Sequence, residues 1–288
     1  MKIRVICGEK LTSHGTCHDI SQRPNKEKSV LIRENPCPTR LTAVILTLNE
    51  AHHITACIES LRWADHILVV DSYSRDATVS LARQAGAEVR QHPFENYSTQ
   101  RNAALAAAAP AEWVFFVDAD ERATPELAAE VRRVIAERAE VGWWVPRHNY
   151  IFGHRMRASG WWPDYQLRLL RRDCASYDPA RAVHEEAILN GDAGRLQSPL
   201  IHYNYETLAQ FHIKQRKYTT YDAGVLLRQG IRPRVYTPYT QIPRHFWWRF
   251  MTLAGWRDGL YGVLLAGLMA YYEMVKYRKL RRLVSGGS

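Results

Sequence analysis

Two carboxylates, Asp118 and Asp120, close the apolar run Trp113-Val-Phe-Phe-Val-Asp-Ala-Asp-Glu121. Val114 to Val117 read as a strand buried on both faces. Residues i and i+2 of extended chain point to one side, so both carboxylates can face one cation. Mg²⁺ or Mn²⁺ held there would lie against a diphosphate. An Asp at a strand end also makes turns or caps the next helix, so the surroundings must decide. Upstream, the turn after the first apolar strand reads Thr47-Leu-Asn-Glu-Ala51 and contains no glycine. A dinucleotide or P-loop site needs Gly-rich backbone at that point, which argues against NAD, FAD and P-loop chemistry. Phosphate must then be neutralised by other means, and a cation on Asp118 and Asp120 supplies one. Asp71, closing the second apolar run, suits hydrogen bonds to a nucleoside, or else simply makes the turn before Ser72.

The elements that must position these residues alternate. Leu41 to Thr47, His66 to Asp71, Ala87 to Arg90 and Glu112 to Val117 read as strands. Between and after them, Glu50 to Trp63, Asp76 to Gln84, Ser98 to Ala109 and Thr124 to about Arg138 read as helices. Asp76 is a plausible cap, and Pro125 suits a first turn. The alternation predicts an α/β fold with a mostly parallel sheet flanked by helices. Ligands of such sheets bind at the carboxyl ends of the strands, where Thr47, Asn49, Asp71, Asp118 and Asp120 all fall. Gly142 to Phe152 and Tyr165 to Arg171 read as further strands joined by a Trp161-Trp-Pro-Asp164 loop. Their aromatic residues suit stacking on carbohydrate, although Trp143 or Trp144 can equally be core.

Several short segments together resemble a known family. Leu46-Thr-Leu-Asn-Glu50, Val69-Val-Asp-Ser72 with Asp76-Ala-Thr78, Gln100-Arg-Asn102 and Phe116-Val-Asp-Ala-Asp-Glu121 resemble the family 2 glycosyltransferases of GT-A fold. Ser159-Gly-Trp-Trp-Pro-Asp164, Leu167-Arg-Leu-Leu-Arg-Arg172 and Val183-His-Glu185 resemble the subgroup of lipopolysaccharide core β-glucosyltransferases acting on inner-core heptose. The resemblance spans about residues 41–285 in order and spacing; the segment before Thr39 matches nothing in it. It implies that Thr47, Asn49, Glu50 and Asp71 hold the uridine, and that Arg101 and Asn102 lie near the donor. It also implies that Asp118 and Asp120 bind Mg²⁺ or Mn²⁺ on UDP, with Asp118 on nucleotide or metal. An acceptor hydroxyl is a weak nucleophile, so a carboxylate must take its proton. Glu185, at the family's His-Glu position, and Asp164, ending the Trp-Trp-Pro-Asp loop, are the two candidates. Glu185 could alternatively pair with Arg168 or Arg181. A base opposite the leaving group gives inversion, so the expected activity is hexosyl transfer, glucosyl in particular, from a UDP-sugar to lipopolysaccharide inner core. Polyprenyl phosphate, a capsule precursor or a protein are alternative acceptors, and a silent sugar- or lipid-binding protein is the alternative of another class.

Charge divides the chain. The net formal charge is +10, and residues 205–288 alone hold 14 Lys/Arg against 4 Asp/Glu. Three regions are expected: a flexible leader over 1–39, a catalytic domain over 40–204 and a basic, aromatic-rich helical module over 205–288. In the last, 206–229 reads as one helix, and Pro233, Pro238 and Pro243 as a turn before a second. The 14 uncharged residues from Gly259 to Tyr272 are too few to span a bilayer. With flanking aromatics and the cluster Lys276-Tyr-Arg-Lys-Leu-Arg-Arg282 they describe a helix lying on anionic lipid, the alternative being a helix packed on the catalytic domain or on a dimer partner. Nucleic acid is not expected, because no recognition motif accompanies the charge. Five scattered cysteines, without a Cys-x-x-Cys pair, fit a reduced compartment. The expected location is the cytoplasmic face of a Gram-negative inner membrane.

Overall fold

The computed structural model describes residues 41–179 and 187–286, all within one compact unit. Its first half is β1 (Leu41–Thr47), α1 (Ile54–Ser60), β2 (His66–Asp71), α2 (Thr78–Gln84), β3 (Glu88–Gln91), α3 (Tyr97–Ala107) and β4 (Trp113–Asp118). These strands pair in parallel in the order β3-β2-β1-β4. Side-chain alternation explains why their sequences are continuously apolar. Leu41, Ala43 and Ile45 with Trp113, Phe115 and Val117 feed one core layer, under α1, α2 and the helix Pro125–Glu137. Val44, Val114 and Phe116 feed the other, against α3.

The chain continues through β5 (Glu121–Ala123), α4 (Pro125–Glu137), β6 (Gly142–Ile151), β7 (His154–Arg155), β8 (Asp164–Arg171), β9 (Ala175–Tyr177), β10 (Ala187–Leu189), β11 (Ala193–Arg195) and β12 (Leu200–Tyr205). Strand β8 inserts antiparallel between β4 and β6, and β12 lies between β6 and β5. The expected α/β fold, a mostly parallel GT-A sheet flanked by helices with a C-terminal helical module, is the one observed. Trp143 is core: a Cβ at Gly194 would meet its ring at 2.2 Å, so only glycine fits there.

Three α-helices follow: α5 (Leu208–Arg228), α6 (Thr237–Trp247) and α7 (Gly259–Val284), with a short π-helical and a 3₁₀ turn between the last two. The Pro-rich turn expected around Pro238 and Pro243 is instead part of α6. Pro238 sits in its first turn, where a missing N–H costs nothing, and Pro243 is carried inside the helix where α6 packs along α7. Helix α1 also starts later than expected. Asn49 is left-handed (φ 57), and the Glu50 and Ala51 N–H groups bond to Thr78 Oγ1 and Asp76 Oδ2 (2.8 and 3.2 Å). Asp76 likewise does not cap a helix starting at itself; α2 begins at Thr78, and the carboxylate ties the two loops together.

The C-terminal helices are fastened to the sheet's connections. The buried Asp258 carboxylate accepts from the Arg157 and Ala158 N–H groups at 2.7 and 3.1 Å. Ser159 N–H donates to the Leu253 carbonyl, and Arg249 to the Ser159 carbonyl. Gly262 lies so close to the Gly255 carbonyl that a Cβ would approach it to 1.9 Å. His245 of α6 is held between Arg249, Arg244, Glu273 and Lys276; burial first, then Arg249, pushes its imidazole down to about 4 from the ordinary 6.5. Below 6.5 the unfolded chain binds a proton that the native state does not, so stability falls as pH drops toward 4. The thermal midpoint should therefore decline more steeply across that window in the native chain than in His245→Phe. Equal slopes would contradict the assignment.

Candidate functional site

The carboxyl ends of β1, β2 and β4 open on one edge of the sheet, and the loops there are already braced. Asn49 Oδ1 accepts from Arg75 N–H and its own N–H donates to Ser74 Oγ, both at 2.8 Å. Asp71 is fully buried and accepts from Thr47 Oγ1, Gln91 Nε2 and Ser74 N–H (3.2, 3.1 and 2.9 Å) and from the Ser74 hydroxyl. A nucleoside contact by Asp71 requires one of these donors to give way, and the Ser74 hydroxyl can do so by rotating. Glu50 lies near Asp120, Asp76 and Asp118. Burial, then Asp120, pushes its acid up to about 7, with Lys214 opposing.

The extended geometry from which Asp118 and Asp120 were expected to share a side is corrected. Strand geometry stops at Asp118, and residues 119–120 turn into β5. Asp118 forms a bidentate pair with Arg168, a residue of β8 that the antiparallel register brings alongside the end of β4. Buried Arg168 also donates to Glu121 Oε1 (2.8 Å), as does Arg147 (3.0 Å), and Arg147 reaches Asp164 Oδ2 at 2.6 Å. Burial alone would raise the Asp118 acid, but Arg168 outweighs it and holds the carboxyl far below the usual range.

Asp120 has a different partner. Strand β12 runs antiparallel to β5 with His202 opposite Glu121, and Tyr203 N–H donates to the Asp120 carbonyl at 2.9 Å. His202 Nε2 thereby comes to 3.5 Å from Asp120 Oδ2. Asn149 Nδ2 faces two acceptors, the Trp161 carbonyl (2.9 Å) and Asp164 Oδ2 (3.1 Å), which fixes its amide orientation. Its Oδ1 therefore meets His202 Nδ1 at 2.7 Å, so Nδ1 carries a proton and Nε2 is the ring atom that faces Asp120, donating to it until an ion takes that place. Burial would raise the Asp120 acid, but its hydrogen bond to His202 keeps it lowered. A carboxylate oxygen and an oriented imidazole nitrogen, the latter steadied by a side-chain carbonyl, form a donor pair suited to a divalent ion.

The other expected residues fall as follows. Arg101 lies over the Phe116 and Tyr177 rings at 5.0 and 5.7 Å. Asn102 donates to the Tyr177 carbonyl and accepts from its N–H (2.7 and 2.9 Å), so its amide anchors β9. Asp164 accepts from Arg147, Asn149 Nδ2 and Gln166 Nε2; burial would raise its acid, yet Arg147 and these donors lower it, which makes it a poor proton acceptor. Glu185 and Arg181 lie outside the described residues. The sequence reading missed Glu121, Arg147, Asn149 and His202, and assigned Arg168 only as a partner for Glu185.

Comparison with known proteins follows the same direction. The model of Glycosyl transferase family 2 matches residues 42–184. The lipopolysaccharide core biosynthesis glycosyltransferase LpsC of Rhizobium meliloti (strain 1021) is 32% identical over 247 residues, covering 83% of this chain and 91% of its own. The chain belongs to glycosyl transferase family 2. An uncharacterized glycosyltransferase of Rickettsia felis shares 27% identity with this transferase, over 84% of this chain and 89% of its own. Among solved structures, glucosyl-3-phosphoglycerate synthase of Mycobacterium tuberculosis, in complex with Mn²⁺, UDP and glucosyl-3-phosphoglycerate, superposes with a TM-score of 0.45 at 18% identity, over 68% of this chain and 81% of its own. S. aureus TarS in complex with UDP gives 0.45 at 16% identity, over 83% and 91%.

Proposed function

We propose that this family 2 transferase moves a hexose, glucose in our reading, from a UDP-sugar to the inner core of lipopolysaccharide with inversion at the anomeric carbon. The observation that carries it is the Asp120–His202 donor pair, set by Asn149 at the carboxyl ends of the sheet beside a first turn without glycine. Asp120 and His202 would hold the divalent ion; an imidazole ligand fits Mn²⁺ better than Mg²⁺, which prefers oxygen alone. When bound, the ion would neutralise the diphosphate and stabilise the UDP leaving group as a Lewis acid. Asp118, held ionised by Arg168, presents its remaining lone pairs to the donor. Thr47, Asn49, Glu50 and Asp71 bind the nucleoside, and Glu185 takes the acceptor proton, in keeping with the weak basicity of Asp164. The name of LpsC supports the acceptor. Incubating purified protein and core oligosaccharide with a panel of UDP-sugars and Mn²⁺ or Mg²⁺, read by mass spectrometry, tests this. Addition of one hexose to the heptose region is expected. Transfer only to a polyprenyl phosphate would overturn the acceptor, and no transfer from any UDP-sugar would overturn the donor.

The same reading places the enzyme on an anionic membrane surface. No described helix is long and apolar enough to cross a membrane. On α7, Leu260, Leu264 and Tyr271 recur at helical spacing and are exposed, Leu260 by 86%, with Trp247 and Trp256 exposed nearby in the chain. Burying each leucine in lipid is worth about 1.5–3 kcal/mol. Leu260→Asp with Leu264→Asp should weaken sedimentation with anionic liposomes by roughly a hundredfold, at about tenfold per 1.4 kcal/mol. Undiminished binding by that double variant would remove the membrane assignment.

A further inference from the structure

A second cavity, of about 540 Å³, lies between α5 and α7, lined by His212, Arg216, Thr220, Tyr271, Tyr272 and Lys279 together with Val275. It is distinct from the catalytic edge. On α5, residues 212, 216 and 220 share one face, whereas Lys214 and Tyr218 lie on the opposite one. Lys214 and Tyr218 both lie close enough to Asp120 to interact with its charge. The helix therefore forms a wall with the catalytic carboxylates on one side and this cavity on the other.

The lining is cationic and contains no carboxylate. Lys279 Nζ donates to the Arg216 carbonyl, Thr219 Oγ1 and Thr220 Oγ1 (2.8, 2.9 and 2.6 Å), which uses all three of its N–H groups. It fixes α7 against α5 and leaves positive charge in the wall without a counterion among the described residues. The Arg216 guanidinium, by contrast, has no hydrogen bond or ion pair among the described residues, so its planar fork of donors remains open. His212 Nδ1 lies 2.6 Å from the Tyr272 hydroxyl; where that hydroxyl donates, Nε2 carries a proton as a further donor. Two like charges held side by side are unfavourable: burial, then Arg216, lowers the Lys279 ammonium. An anion between them would relieve that repulsion, and an open guanidinium offers a phosphate two parallel donors. Tyr271 joins the cavity to its surroundings, for it lines the cavity and also continues the exposed stripe of Leu260 and Leu264. A phosphate seated on Arg216 would have acyl chains leaving along that stripe.

We propose that the α5–α7 cavity binds the phosphate headgroup of an anionic lipid, with Arg216 as its principal contact. It rests on the membrane reading for the source of the phosphate, not for the cavity's charge. The test titrates the full chain with dioctanoyl phosphatidylglycerol below its micelle concentration, followed by calorimetry, so that no bilayer is needed. Saturable one-site binding is expected, weakened at least tenfold in Arg216→Gln and unchanged in Arg282→Gln, an exposed charge outside the cavity. Equal weakening in both variants, or an unsaturable response, would overturn the site. Saturable binding of inorganic phosphate without binding of the short-chain lipid would overturn the lipid assignment. Hydrolysis of a UDP-sugar should be unchanged in Arg216→Gln. Undiminished liposome binding by the α7 stripe variant would count against the membrane reading and leave the monomer titration intact.

Discussion

Replacing Asp120 with alanine should lower UDP-sugar turnover by about 10³-fold while leaving the thermal midpoint nearly unchanged. A lost metal contact of about 4 kcal/mol at the leaving group has that size, at tenfold per 1.36 kcal/mol. The fold should tolerate the change because the Asp120 side chain is partly exposed and its ion-pair partner among the described residues is His202. His202→Ala should raise the Mn²⁺ concentration required by roughly 10–100-fold, the usual effect of weakening a metal's support. His202→Asp is the sharper test. An all-oxygen pair would shift the preference from Mn²⁺ toward Mg²⁺. An unaltered metal preference would remove His202 from the donor set, and wild-type turnover in Asp120→Ala would remove the metal from Asp120.

Arg168→Met should be the most destabilising single change in the site. Arg168 is 3% exposed and neutralises Asp118 and Glu121 at once. Removing one partner of a buried ion pair leaves an uncompensated charge and costs about 3–5 kcal/mol. For a chain of this size the thermal midpoint should fall on the order of 10 °C. Adding Glu121→Gln removes one of the stranded carboxylates and should recover part of the loss, which a mere packing defect at residue 168 would not allow. Should Arg168→Met cost under about 1 kcal/mol, the network would behave as a solvated surface pair.

Much of this was legible in the sequence because local periodicity carries it. Strands β1 to β4 and their helices follow from apolar runs alternating with helical spacing, and Asp71, Asp118 and Asp120 from their positions at strand ends. What failed was set by contacts between distant segments. The i, i+2 rule breaks after Asp118 because the chain turns there to pair β5 with β12, a partner some 80 residues away. Arg168, Arg147, Asn149 and His202 come from strands ordered β8-β6-β12 beside β4, an arrangement that no local pattern encodes. Asn102 matched a donor-binding motif, yet its amide is committed to the backbone of Tyr177, a role visible only once α3 and β9 are neighbours. Pro243 was read as a breaker, and the packing of α6 on α7 overrode that local preference.

Asp258 has a consequence for how the enzyme sits at its work. Its carboxylate takes two backbone donors from residues 157–158, just before the Trp161–Asp164 segment that borders the site. Heating should therefore melt catalytic sheet and terminal helices in one calorimetric transition, with equal van't Hoff and calorimetric enthalpies. With no hinge between them, docking α7 on a bilayer would set the height of the catalytic cleft above the lipid as a fixed dimension. The acceptor sugars that can reach the cleft would then be those lying at that distance from their own anchor, so that the enzyme measures its substrate as well as recognising it.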